Sequence, residues 1–139
     1  MSKDLKITAP RMGDAFHKMA GSAAPLVEMI MYGWCSNNVE DYNGGCWENV
    51  TTEDGAVYRR LMDEDDKVFK VSNPAAYWEG EMSSNTMGIV ATLFGLNHAL
   101  WEIYEKNEDL GKKLSDAYHK LRDFALDGPD AGAIYAATN

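Results

Sequence analysis

An α+β fold is predicted: one compact domain in which a small antiparallel β-meander of three to four strands packs with about four to five α-helices. Three observations carry it. Apolar residues recur at offsets of three and four in the first and last thirds of the chain. The middle third changes to short runs rich in Trp, Val, Tyr and Phe. Those runs are punctuated by turn formers, with Asn43-Gly44-Gly45 at their head and Asp54-Gly55 between two of them.

Residues 1–12 are polar, include Pro10 and show no periodicity, so they are expected to form a mobile lead-in to a single domain over 13–139. From Gly13 to Ala24 a weak helical pattern places Ala15, Phe16, Met19 and Ala20 together, with a break at Gly21-Ser22. Pro25 suits the first turn of a new helix. Leu26, Val27, Ile30, Met31 and Trp34 form its apolar face, and its end falls between Cys35 and Asn38. Strands are predicted over Gly45–Thr51, Ala56–Met62 and Lys67–Ser72, with a fourth over Ala76–Met82 after the Asn73-Pro74 turn. The Asp54-Gly55 pair marks a hairpin, because glycine accepts positive φ without a Cβ clash.

Ser83 or Ser84 caps the next helix, whose residues Met87, Val90, Leu93, Phe94, Asn97, Leu100, Trp101 and Tyr104 share one broad face. With Ile89 and Leu96 adding apolar surface outside that face, this helix is expected to be central. Gly88 and Gly95 would each cost such a helix about 1 kcal/mol relative to Ala, so close backbone approach to a neighbour is the expected reason for them. Leu110, Leu114, Leu121 and Phe124 continue into a further helix that Asp127-Gly128-Pro129 stops, and a short last helix follows Pro129.

Composition narrows the function classes. Thirteen Lys and Arg against twenty-two Asp and Glu give a net charge of −9, which disfavours phosphate binding, so no direct nucleic-acid contact is expected. No run of about twenty apolar residues occurs and no signal-peptide core is evident, so neither membrane nor export is expected and the location read from the sequence is cytoplasmic. Cys35 and Cys46 lie outside any Cys-x-x-Cys pattern and are expected to be reduced thiols.

Chemistry is harder to find. His17, His98 and His119 include no pair at i, i+4 spacing, and His98 reads as a satisfied interior or boundary histidine. The run Asp63-Glu64-Asp65-Asp66 lacks the Gly and Glu that a calcium loop needs and reads as a solvated hairpin tip. Glu48, Glu79 and Glu81 would form a carboxylate group only if their strands were neighbours. No phosphate-binding loop or nucleophile motif is present. No catalytic residue, cofactor, metal or small-molecule ligand is therefore expected.

With these residues laid out, the chain resembles the ArdB/KlcA antirestriction protein family. The segment Asp41-Tyr42-Asn43-Gly44-Gly45-Cys46-Trp47 is similar to that family's aspartate-tyrosine-x-glycine-glycine-x-tryptophan pattern. The hairpin with Asp54-Gly55 and Tyr58, the stretch Met87–Asn97 and the closing Pro129–Asn139 follow in the family's order. Two departures stand out: Ala56-Val57-Tyr58-Arg59 where the family often has a second glycine and an aromatic-methionine pair, and Asn139 where it commonly ends on an acidic residue. The resemblance implies a non-enzymatic inhibitor that protects incoming phage or plasmid DNA, its partner a host type I restriction-modification complex or an associated host protein. The candidate contact residues are Asp41, Tyr42, Asn43, Gly44, Gly45, Trp47, Tyr58, Asp130 and Asn139. Two other readings stay open: an acidic mimic of DNA, and a small metal-dependent hydrolase built around His98.

Overall fold

In a computed structural model, residues 5–7, 15–62, 67–74 and 77–138 are described. The chain runs β1 (Leu5–Ile7), α1 (Ala15–Ala20), a 3-10 turn (Gly21–Ala23), α2 (Ala24–Asn38), β2 (Trp47–Thr52), β3 (Val57–Leu61), β4 (Val68–Asn73), β5 (Trp78–Ser83), α3 (Ser84–Ile103), α4 (Glu108–Leu126) and α5 (Ala131–Thr138). The α+β class is as expected. The break predicted at Gly21-Ser22 is the 3-10 turn, where Gly21 takes a φ of 59°.

The α3 helix forms the axis of the fold, lying against α2, α4, α5 and β3. Ser83 caps it by accepting from the Thr86 N–H at 3.2 Å. Its glycines mark the closest approaches. A Cβ on Gly88 would collide with the Arg59 carbonyl and stand 2.8 Å from the Arg60 Cα, so β3 crosses directly over that point. A Cβ on Gly95 would stand 2.6 Å from Met31 Cγ and 2.9 Å from the Val27 carbonyl on α2. Around this axis Phe16, Val27, Met31, Val50, Tyr58, Val90, Leu96, Leu114 and Leu121 are completely buried.

The expected single meander is instead two sheets, β1-β2-β3 and β4-β5, all antiparallel. The cause is the outer edge of β3. The Arg59 N–H donates to Thr92 Oγ1 at 3.2 Å, and Ser84 Oγ donates to the Leu61 carbonyl. Thr92 Oγ1 in turn donates a hydrogen bond to the Gly88 carbonyl at 2.8 Å. Helix hydroxyls thus occupy the positions that a fourth strand would use. The β4-β5 hairpin is tied to the end of α2 instead: Asn38 Nδ2 donates to the Ser72 carbonyl at 2.7 Å, and the Glu40 N–H donates to the Lys70 carbonyl at 2.9 Å.

Two further expectations need correction. Within the segment read as a lead-in, Leu5–Ile7 is a strand, with Lys6 opposite Thr51 of β2; a three-residue strand is too short to give a period. Trp101, expected on the apolar face of α3, is 75% exposed, because at that turn the helix meets the core through Ala99, Leu100 and Ile103 and turns Trp101 outward. The Asp63–Asp66 run, Ala76 at the start of the expected fourth strand, and Asn139 lie outside the described residues.

Candidate functional site

Between α2 and β2 the chain makes an irregular turn, residues 41–46, with Asp41 at φ 60°, Gly44 at 82° and Gly45 at 135°. Positive φ at three of six positions is what lets the chain reverse and enter β2 in so short a span, and two of the three are the glycines that tolerate it best. A Cβ on Gly45 would stand 3.1 Å from Leu61 Cδ2, so the turn sits down on the end of β3. Asp41, Asn43, Gly44, Gly45 and Cys46 are exposed, while Tyr42 and Trp47 are half-buried and anchor the turn at each end. Trp47 Nε1 donates to Tyr42 Oη at 3.4 Å, and the Trp47 ring lies 5.4 Å from that of Tyr32.

The turn is the shared rim of two clefts. One, of about 330 Å³, is walled by Tyr32, Tyr42, Gly44, Gly45 and Trp47 and floored by Asn49 and Arg59. The register of β2 with β3 places Asn49 opposite Arg59. Arg59 Nε donates to Asn49 Oδ1 at 2.9 Å and Nη1 to Tyr32 Oη at 2.9 Å, and Nη1 lies 3.4 Å from Glu28 Oε1. The Arg59 guanidinium carbon also stands 4.1 Å above the Phe16 ring centroid. With its side chain 12% exposed, Arg59 is a held, desolvated cation at the cleft floor. Burial raises the phenol of Tyr32 above its ordinary value, with the Arg59 charge and hydrogen bond pulling the other way, and burial likewise raises Tyr42. Both phenols remain hydrogen-bond donors at neutral pH.

The second cleft, about 810 Å³, lies between the end of α2 and the β4-β5 hairpin. Glu40, Asp41, Glu79 and Glu81 line it, with Lys70 the one cation of its wall among the described residues. The second cleft thus carries an excess of carboxylates where the first holds an arginine already paired with Glu28, and this uneven charge along one turn of chain can orient a partner.

The remaining candidates fall elsewhere. Tyr58 is completely buried, stacked 6.3 Å from Phe124 with its hydroxyl donating to Asn85, so it lies off the exposed surface and supports β3 from beneath. Alternation along β3 turns Tyr58 to the face opposite Arg59. Asp130 accepts from Thr86 Oγ1 at 2.7 Å and so fastens the start of α5 to the first turn of α3. Glu48 joins Arg60 at 2.7 Å, while Glu79 and Glu81 belong to the other sheet, so the three carboxylates do not meet. His98 is exposed, with Nδ1 2.9 Å from its own helix's Phe94 carbonyl and its ring stacked on Phe94. Among the described residues no three His, Cys, Asp or Glu side chains gather in a way that would hold a metal, and no helix is long and apolar enough to cross a membrane. Arg59 carried no signal in the sequence: of two adjacent arginines on a strand, one becomes part of a site only through register and through the closeness of α2.

Fold and site together define a small α+β protein with a recessed arginine beneath an exposed glycine-rich turn. A family profile described as "Antirestriction protein" matches residues 40–139. Two proteins from Escherichia coli, each called antirestriction protein KlcA, are 37% and 34% identical over 110 residues; these alignments cover 79% of this chain and 75% and 73% of the relatives. A solved structure matches with a TM-score of 0.80 and 28% identity over 100% of this chain and 98% of the other. It is described as showing that the KlcA and ArdB proteins have a novel fold and antirestriction activity against type I DNA restriction systems in vivo but not in vitro. The chain belongs to the antirestriction protein family of KlcA and ArdB.

Proposed function

We propose that this protein protects incoming DNA from type I restriction without catalysis, by docking a host protein on the surface around Asp41, Tyr42, Asn43, Gly44, Gly45 and Trp47. That host protein is the restriction complex or a factor associated with it. The observation that carries the reading is the turn itself: it is exposed, held in a left-handed backbone by its glycines, and rims two clefts, one floored by the ion-paired Arg59 and one lined mainly by carboxylates. A recessed Arg59 already neutralised by Glu28 suits recognition of a protein side chain better than capture of a free phosphate. Activity of the KlcA and ArdB proteins in vivo but not in vitro supports a partner or state supplied by the cell. A plain DNA mimic, by contrast, would act on purified enzyme, and the thirteen basic residues interrupt the sustained negative face that mimicry requires.

Plating efficiency tests this. Unmodified phage should plate better on a type I restricting host that makes the protein; unchanged plating at good expression would overturn the antirestriction reading. Asn43→Arg places bulk and charge on an exposed position and should lower protection by about tenfold or more, as expected for a change inside an interface core. Full protection by a stably folded Asn43→Arg variant would move the docking surface away from the turn.

A further inference from the structure

Toward its C-terminal end, on the side away from the core, α3 carries an aromatic surface that the signature turn does not explain. Trp101 is 75% exposed and Tyr104 42% exposed. Together with Leu100, Tyr118 and His119 they line a groove of about 570 Å³ between the end of α3 and the middle of α4. Glu105 forms part of its wall, and Glu102 is exposed one residue beyond Trp101. Neither Glu102 nor Glu105 makes an ion pair or a side-chain hydrogen bond among the described residues. The groove lies about nine residues, or roughly 13 Å, along α3 from Thr92, which underlies Arg59 and the turn, so it is a separate surface.

Open indole and phenol faces beside an unpaired carboxylate are a recognition chemistry for a cation. The faces attract positive charge through the ring quadrupole, and the carboxylate supplies a partner for its N–H groups. A guanidinium suits the combination better than an ammonium, being planar, weakly hydrated and able to stack on Trp101 while pairing with Glu105. The net charge of −9 favours a basic protein segment and opposes a nucleic-acid strand, whose bases would also stack there but whose phosphates would be repelled. We propose that this groove binds an arginine side chain from a basic segment of a partner protein, with Trp101 as the stacking face and Glu105 as the ion-pair partner.

The test is an NMR titration of the whole protein, read on the Trp101 indole N–H and on backbone amides around Tyr104. Its probe is a short peptide carrying one arginine between glycines; peptides carrying lysine or glutamate and a short oligothymidylate serve for comparison. The arginine peptide should shift these signals saturably with a Kd on the order of 1 mM, the lysine peptide more weakly, and the glutamate peptide not at all. Glu105→Gln and Trp101→Leu should each weaken arginine-peptide binding by about threefold or more. No saturable shift at about ten times that concentration would overturn the proposal, as would equal shifts from the glutamate peptide or the oligothymidylate, or a Glu105→Gln variant that binds unchanged. Concentration-dependent shifts without any peptide would assign the groove to a second copy of this chain instead. Should Trp101→Leu fail to fold, Glu105→Gln carries the test alone, since that side chain is exposed and unpaired.

Discussion

Gly88→Ala separates close packing from helix propensity, because the two act in opposite directions. An alanine in a helix interior gains about 1 kcal/mol over glycine. At position 88 the new methyl would meet the Arg59 carbonyl, and Arg60 Cα and Cβ each at 2.8 Å where ordinary contact begins at 3.4 Å; the Cβ moves only with its backbone. The β3 strand would have to retreat by more than half an ångström, stretching the Arg59–Thr92 and Ser84–Leu61 hydrogen bonds that hold its edge. Overpacking costs about 1–3 kcal/mol, and because neither side can turn aside as a flexible side chain would, the upper end applies here and leaves a net loss of about 2 kcal/mol after the propensity gain. Gly33→Ala on α2 is the internal control. Its Cβ meets nothing within 4 Å, and the substitution should stabilise by about 0.5–1 kcal/mol. Gly95→Ala should fall between, since one obstacle is the Met31 side chain and the other the Val27 carbonyl. Urea unfolding of the three variants measures the order directly. A Gly88→Ala protein within about 0.5 kcal/mol of the parent, or a Gly33→Ala protein that loses as much, would refute the claim that β3 rests on the bare helix at that glycine.

Two more outcomes follow from buried groups. Thr92→Val keeps shape but strands the Arg59 N–H at the β3 edge; it should cost about 1–3 kcal/mol and speed exchange of the Arg59 amide, and an unchanged exchange rate would show that another acceptor serves it. Burial pushes Cys35 from 9.0 up to about 12 and Tyr58 from 10.0 up to about 12, so the folded state holds both protons where the unfolded state releases them. Stability should be complete below pH 9 and fall between about pH 9 and 12, with a slope approaching about 1.4 kcal/mol per unit for each group. Cys35→Ala should flatten the early part of that fall, and in the parent protein exposed Cys46 should alkylate long before buried Cys35.

Much of the fold was legible because local and global signals agree. The four predicted strands lie within about two residues of those observed, Ser83 caps α3 as expected, and Gly55 takes the positive φ of the predicted hairpin. The glycines of α3 were also legible, since their cost in a helix demanded a packing reason that Val27 and Arg60 supply. Partnerships between strands were not. Whether β3 pairs with β4 depends on hydroxyls at Ser84 and Thr92, which in sequence are ordinary helix residues. The site followed the same rule. The Asp41–Trp47 turn stands out in sequence, whereas Arg59 gains its place from a cross-strand partner ten residues away and from Glu28 and Tyr32 on a helix before the turn. Tyr58, one residue earlier, was misplaced for the same reason: alternation gives two faces but does not say which is outside.

The sealing of β3 has a consequence for how this protein meets others. A strand with free amide and carbonyl groups invites pairing with an extended segment of another chain, whether a partner peptide or an aggregating copy. At the outer edge of β3 the Arg59 amide and the Leu61 carbonyl are already engaged by side chains of α3. Recognition there must come from side chains and from turns rather than from strand addition, and the rigid backbone of β3 is left free to hold Arg59 steady beneath the cleft.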